Sequence, residues 1–117
     1  MVRLSLELVA YLHPIKHRPN LKILTNTTAK RLVFDGKRVV GLEVSEHGKI
    51  RKILCGAEVI LSAGTIGSPQ LLMLSGIGPA KNLKENGIQL ILNLPGVGRN
   101  LQDHLQVRPI YRCKSGT

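Results

Sequence analysis

Tryptophan is absent from this 117-residue chain, and phenylalanine and tyrosine contribute only one and two residues. Sites for single-stranded nucleic acid stack bases on aromatic side chains, so this scarcity argues against such a site. Acidic residues are also few, seven against 17 lysines and arginines, which gives a net charge of +10. That charge would suit nucleic acid or an anionic membrane surface. The basic residues are scattered, however, and no nucleic-acid-binding motif is present. We therefore predict no nucleic-acid partner.

Long apolar runs are missing as well, and none approaches the ~18 residues that suggest a membrane-spanning helix. The apolar segment Met1–His13 contains Glu7 and lacks a small-residue cleavage site. It predicts an amphipathic helix, with Leu4, Leu8, Tyr11 and Leu12 on one face, rather than a signal peptide. We therefore predict a protein that is cytoplasmic or peripheral on the inner membrane, without a transmembrane segment.

Cysteine is limited to Cys55 and Cys113, which are far apart and form no C-x-x-C motif. No histidine lies near them at the spacing of metal ligands. We predict two ordinary reduced thiols and no metal site, although a disulfide between them stays possible.

What the chain does contain is a series of strand-forming runs between about residues 18 and 54. A short strand is predicted at 21–25, and longer strands at 27–34, 39–44 and 49–54. The last three are joined by the turns Asp35-Gly36 and His47-Gly48. Asp-Gly between two β-rich runs is a strong hairpin signal. We predict that these three form an antiparallel β-meander.

The following part, about residues 57–104, has a different pattern. The apolar run Glu58–Ser62 predicts a strand buried in a parallel sheet. Ser68 and Pro69 predict the N-cap and first residue of a helix that ends near Leu74. A second helix is predicted from Pro79 to Glu85, then a strand at 88–94 and a loop at 95–98. The fold class is α/β, or α+β for the chain taken as a fragment.

Small residues follow the predicted buried strand, in the sequence Ser62-Ala63-Gly64. In α/β proteins, ligands bind beyond the carboxyl ends of strands, where small side chains let a cofactor approach the backbone. A helix N-terminus next to such a turn offers free N–H groups to phosphate. The alternative is a tightly packed strand–turn–helix unit without a ligand.

Three stretches decide between these interpretations: Ala57–Gly64, Gly64–Pro79 with its Ser-Pro-Gln-Leu-Leu-x-Leu-Ser-Gly-Ile-Gly-Pro sequence, and Leu94–His104. Together they resemble the glucose–methanol–choline (GMC) oxidoreductases, most closely the choline and alcohol dehydrogenase branch. The resemblance extends from about Ala10 to His104. It implies part of a Rossmann-like FAD-binding domain, and an intact enzyme that oxidises a small alcohol substrate by hydride transfer to FAD.

The resemblance also implies which residues line the cofactor, and these are Ala29, Ser62, Ala63, Gly64, Asn100 and Asp103. The family commonly has valine at position 29 and often asparagine at position 67, where this chain has alanine and glycine. The family's catalytic histidine lies beyond residue 117, so we predict no catalytic residue in this chain. Adjacent residues cannot form a hydrogen-bonded dyad by spacing alone, and we therefore assign Asp103-His104 a structural or cofactor-lining role.

One expected motif is missing: the chain has no Gly-x-Gly-x-x-Gly followed by an acidic residue, the arrangement that binds a dinucleotide. We therefore predict an internal fragment of an FAD-dependent alcohol dehydrogenase that binds FAD weakly by itself and does not turn over. One alternative is a non-catalytic remnant or stand-alone binding module of the same fold. Another is a basic protein that binds nucleic acid or a membrane surface.

Overall fold

The computed structural model describes residues 8–112, and the chain divides between Val59 and Ile60 into two compact units. The first unit begins with a π-helical turn at Leu8–Leu12. The predicted helix is thus present in its described part, with π-helical and not α-helical geometry, and its residues 1–7 lie outside the described residues. Pro14 explains why it ends at Leu12, because a proline disfavours helical geometry in the residue before it.

The antiparallel β-meander of the first unit is confirmed. Its strands are β1 (Thr27–Asp35), β2 (Arg38–Glu46) and β3 (Lys49–Leu54), in the order β1-β2-β3. Both connections are two-residue turns. In the second, His47 and Gly48 have φ angles of 50° and 79°, and two positive φ values are typical of the hairpin turn that matches strand twist.

No strand forms at residues 21–25, contrary to the prediction. The Leu21 N–H instead donates to the Arg18 carbonyl at 3.1 Å, which closes a turn. A strand needs a neighbour for its backbone groups, and no described segment pairs with this one.

Two ion pairs link the strands of the meander. Arg31 donates two hydrogen bonds to its cross-strand partner Glu43, at 3.2 and 3.1 Å. Arg51 Nε donates to Glu46 Oε2 at 2.7 Å. The hydrogen bond from Arg51 lowers the pKa of Glu46 below its ordinary value. Glu46 therefore stays ionised, and keeps its ion pair with Arg51, to a lower pH than a free glutamate would.

The predicted strand at 58–62 is unpaired within the described residues, and Ile60 is 77% exposed. Because a buried parallel strand needs neighbours on both sides, which this part of the chain does not supply, the strand stays a prediction. The parallel pairing of the second unit lies elsewhere. It joins β4 (Ile77–Gly78) to β5 (Leu92–Asn93), so that the strand predicted at 88–94 is reduced to two residues.

Helix α1 spans Gly64–Leu74 and begins five residues before its predicted first residue, Pro69. Ser68 is therefore not the N-cap; its hydroxyl accepts a hydrogen bond from the Ala63 N–H at 3.0 Å. Pro69 lies inside the helix. Because proline has no N–H, the Thr65 carbonyl lacks its usual helical donor.

Helix α2 spans Ala80–Glu85 and is confirmed; it ends at the predicted residue. The Gly87 N–H donates to the Lys84 carbonyl, and the Ile88 N–H to the Leu83 carbonyl, at 3.1 and 2.9 Å. These two bonds form a Schellman motif. At the other end, Asn93 Oδ1 accepts the Ala80 N–H at 3.1 Å, so β5 caps the helix. The core of this unit contains Leu71 and Leu83.

Candidate functional site

A cavity of about 570 Å³ lies in the second unit between α1 and the loop that follows Pro95. The helix contributes one wall and five consecutive loop residues contribute the other. The lining residues are Thr65, Ile66, Pro69, Gln70 and Met73 from the helix, and Gly98, Arg99, Asn100, Leu101 and Gln102 from the loop. The Arg99 guanidinium is the only charged group among these ten residues, so the cavity favours an anionic or neutral polar ligand.

Asn100 is the one predicted cofactor residue that lines this cavity. Its φ of 57° places it in the left-handed region, which is uncommon for any residue except glycine and in which asparagine is enriched. Backbone conformations of this kind are costly and cluster at ligand sites. The left-handed backbone of Asn100 therefore coincides with the lining of the cavity.

Ser62, Ala63 and Gly64 lie at the N-terminal end of α1, directly before the lining residues Thr65 and Ile66. All three are exposed, and the space around the Gly64 Cα is open to at least 4 Å on the side where a Cβ would stand. The backbone can therefore be approached closely by a ligand. The first N–H groups of α1 have no partner within the helix and can donate to an anion.

Asp103 lies beyond the cavity lining, and its carboxylate accepts a hydrogen bond from the backbone N–H of His104 at 2.8 Å. The contact is with the main chain and not with the imidazole. The geometry thus agrees with the absence of a dyad, whereas a cofactor-lining role for Asp103 stays a prediction.

Ala29 belongs to the other unit, on the exposed part of β1. The pairing register of β1 with β2 shifts between Ala29 and Arg31, so a β-bulge follows Ala29 directly. Bulges redirect the chain and are frequent next to active sites. The bulge is a local feature consistent with the predicted contact, which stays a prediction.

Sequence reasoning missed four polar lining residues, namely Thr65, Gln70, Arg99 and Gln102. All four occur inside the stretches that carried the family resemblance. Hydrophobic periodicity does not distinguish them, because the loop residues are placed by turns and not by a regular element.

Residues 8–112 bring together no cluster of three potential metal ligands and contain no helix long and apolar enough to cross a membrane. The thiol of Cys55 is free, and Cys113 lies outside the described residues.

An exposed small-residue turn that leads into a helix, with a cavity along that helix, is an arrangement typical of ligand-binding α/β proteins. Comparison with known proteins identifies the class. The chain belongs to the GMC oxidoreductase family, whose sequence model matches residues 5–106.

Individual relatives support the same assignment. The chain is 53% identical over 104 residues to the mitochondrial choline dehydrogenase of Homo sapiens, and 52% identical to the oxygen-dependent choline dehydrogenase of Brucella ovis. The match covers 89% of this chain but only 18% and 19% of those proteins, so the chain spans less than a fifth of the length of these relatives.

Solved structures of similar fold include a pyridoxine 4-oxidase from Mesorbium loti, with a TM-score of 0.71 at 35% identity over 75% of this chain. An FAD-dependent oxidoreductase from Chaetomium thermophilum gives a TM-score of 0.68 at 36% identity over 71% of this chain. The chain covers 17% and 15% of these structures. The predictions of an α/β fold and of GMC family membership are both confirmed.

Proposed function

We propose that this chain forms part of the FAD-binding domain of an oxidoreductase that acts on CH–OH groups, with choline or a similar small alcohol as substrate. The observation that carries the proposal is the high identity to choline dehydrogenases across the segment that contains the cavity and Asn100. When bound, FAD supplies the redox chemistry by accepting a hydride from the alcohol carbon. We propose no catalytic residue in this chain.

The residues present fit such a cofactor. The exposed backbone of Ser62–Gly64 can approach a flat or anionic group without obstruction by large side chains. The first turn of α1 offers N–H donors, and Arg99 adds a positive charge beside the cavity. In this proposal these groups and the Asn100 amide hold the cofactor, while cofactor contacts from Ala29 and Asp103 stay predictions. The location, in the cytoplasm or peripheral on an inner membrane, stays a prediction.

The test is to purify the full gene product, measure its flavin content by absorption, and add choline without oxygen. We expect FAD to be present and choline to bleach its visible absorption. A benzylic alcohol under the same conditions serves as the comparison that tests substrate class. A folded gene product without flavin would contradict the proposal and would favour the non-catalytic binding module.

Asn100→Gly tests the site itself. Glycine keeps the left-handed backbone of residue 100 without strain, so only the side-chain amide is lost. We expect the dissociation constant of FAD to rise about tenfold, as for the loss of one net hydrogen bond of about 1–1.5 kcal/mol. Flavin fluorescence titration measures this. The matched control is Asn26→Gly, which removes the amide of another asparagine with a positive φ, 53°, outside the cavity lining. Equal effects of the two changes would contradict a contact from Asn100.

A further inference from the structure

The side chain of Met73 occupies a narrow space between two glycines of the second unit. A Cβ at Gly78 would lie 2.9 Å from Met73 Cγ, which is closer than real atoms of this type approach. A Cβ at Gly98 would lie 3.4 Å from Met73 Cε and 3.9 Å from its Sδ. The near part of the side chain thus packs against β4, and the far part packs against the loop that carries Asn100.

Met73 also lines two cavities, the one described above and a second of about 450 Å³ next to α2. Gly98 and Arg99 line both cavities as well. The methionine therefore lies between the two cavities, under the segment of the loop that separates them. An unbranched, flexible side chain is well suited to fill such an irregular space.

The loop above Met73 is held to β4 just before it starts, where the Leu94 N–H donates to the Gly78 carbonyl at 3.0 Å. Among the described residues, the backbone bonds within the loop are local: the Val97 N–H donates to the Leu94 carbonyl and the Arg99 N–H to the Gly96 carbonyl, both at 3.1 Å. Gly98 and Asn100 both have positive φ angles, 78° and 57°. A left-handed asparagine persists only where its surroundings hold the chain in place.

We propose that Met73 is a positioning residue, which holds the Gly98–Asn100 turn and thereby the Asn100 amide at the cofactor cavity. The inference about the loop rests on packing alone, while its consequence for FAD rests on the function proposed above. Met73 does not touch the reacting atoms in this proposal; it acts through Asn100.

The test uses three substitutions at Met73 in the full gene product. Met73→Val keeps carbon atoms at the γ position, beside Gly78, but lacks the atoms that reach Gly98. Met73→Leu keeps one more atom of reach, and Met73→Ala removes both contacts. The matched control is Leu74→Ala, which truncates the next residue of α1, outside both cavity linings.

The first measurement is hydrogen exchange at the Arg99 amide, which reports on the loop with or without flavin. We expect exchange to accelerate about tenfold in Met73→Val and Met73→Ala, and less in Met73→Leu, because a loop without packing opens more often. The second is the affinity and visible circular dichroism of bound FAD. Since a small displacement of a positioning group can weaken a site by an order of magnitude, we expect a dissociation constant raised about tenfold and a changed spectrum in Met73→Val.

Leu74→Ala should leave both readouts within about twofold of the parent. Unchanged Arg99 exchange in Met73→Val, or equal changes in Leu74→Ala, would overturn the inference. Faster exchange with unaltered FAD affinity and spectrum would overturn the link from Met73 to the cofactor. If the parent protein binds no FAD and Met73→Val still accelerates Arg99 exchange, the packing role of Met73 is supported and the proposed function is contradicted. If Met73→Ala does not fold, the Val and Leu variants decide.

Discussion

Gly76→Ala is expected to destabilise the second unit by about 3 kcal/mol or more. Two costs add at this position. Gly76 has a φ of 84°, where an alanine pays about 1–2 kcal/mol. The new Cβ would also overlap the Gln89 carbonyl oxygen and would lie 3.0 Å from Ile91 Cγ1. Overpacking against backbone costs about 1–3 kcal/mol.

The overlap is severe because the chain returns to Gly76 to form the parallel pair. The Gly76 carbonyl accepts hydrogen bonds from the N–H groups of Ile91 and Leu92, at 2.8 and 3.1 Å. Relief of the clash would separate these groups and weaken the pairing of β4 with β5. The expected loss therefore includes cooperative unfolding of the segment 88–94.

Gly87→Ala is the matched control. Gly87 also has a positive φ, 67°, but no atom lies within 4 Å of the position where its Cβ would stand. We expect it to cost only the backbone term, about 1–2 kcal/mol. Urea unfolding, monitored by the hydrogen exchange of α2 amides, measures the free energy of unfolding of both variants. Equal losses would show that the contact with residues 89–91 contributes little to stability.

Local signals accounted for most of the elements that the sequence predicted correctly. The meander follows from Asp35-Gly36 and His47-Gly48, since each turn joins strands that are neighbours in sequence. The end of α2 follows from Asn86-Gly87 for the same reason, because a Schellman motif involves only adjacent residues.

The predictions that are wrong or stay open concern segments whose structure depends on distant partners or on competing hydrogen bonds. Residues 58–62 have the composition of a buried strand, but no described segment pairs with them, so this strand stays a prediction. Ser68-Pro69 has the composition of a helix start, yet the Ser68 hydroxyl reaches back to the Ala63 N–H and the helix begins at Gly64. The pair β4–β5 joins residues about 15 apart, and its two-residue strands carry no detectable periodicity.

The candidate site was predicted in part for similar reasons. Asn100 was found because the motif around it carries the family resemblance, and the structure places it at the cavity. Met73 has no comparable signal in the sequence. Its contacts with Gly78 and Gly98 depend on the fold of two loops, which composition and spacing do not encode.

Leu83→Ala is expected to have the other large effect on the second unit, a loss of about 3–5 kcal/mol. Leu83 has no exposed surface, so truncation removes buried methyl groups and leaves a cavity. Its Cδ2 would lie 3.8 Å from a Cβ at Gly78, which places the side chain between α2 and β4. A cavity there would loosen the contact between these two elements.

The position of Leu83 in the Schellman motif sharpens this prediction. Its carbonyl accepts the Ile88 N–H at 2.9 Å, and Leu83→Ala leaves that bond intact because it changes only the side chain. A loss of stability therefore reports on packing and not on capping. Leu83→Met, which conserves volume, should cost less than about 1.5 kcal/mol.

Leu74→Ala is the control for this change, since it makes the same truncation on a helix at a position that is 48% exposed. We expect a loss of about 1 kcal/mol or less, because a half-exposed side chain leaves no closed cavity. Thermal unfolding and amide exchange in α2 measure all three variants. If Leu83→Ala and Leu74→Ala lost the same stability, the core of the second unit could not be centred on Leu83, and its packing between α2 and β4 would contribute little.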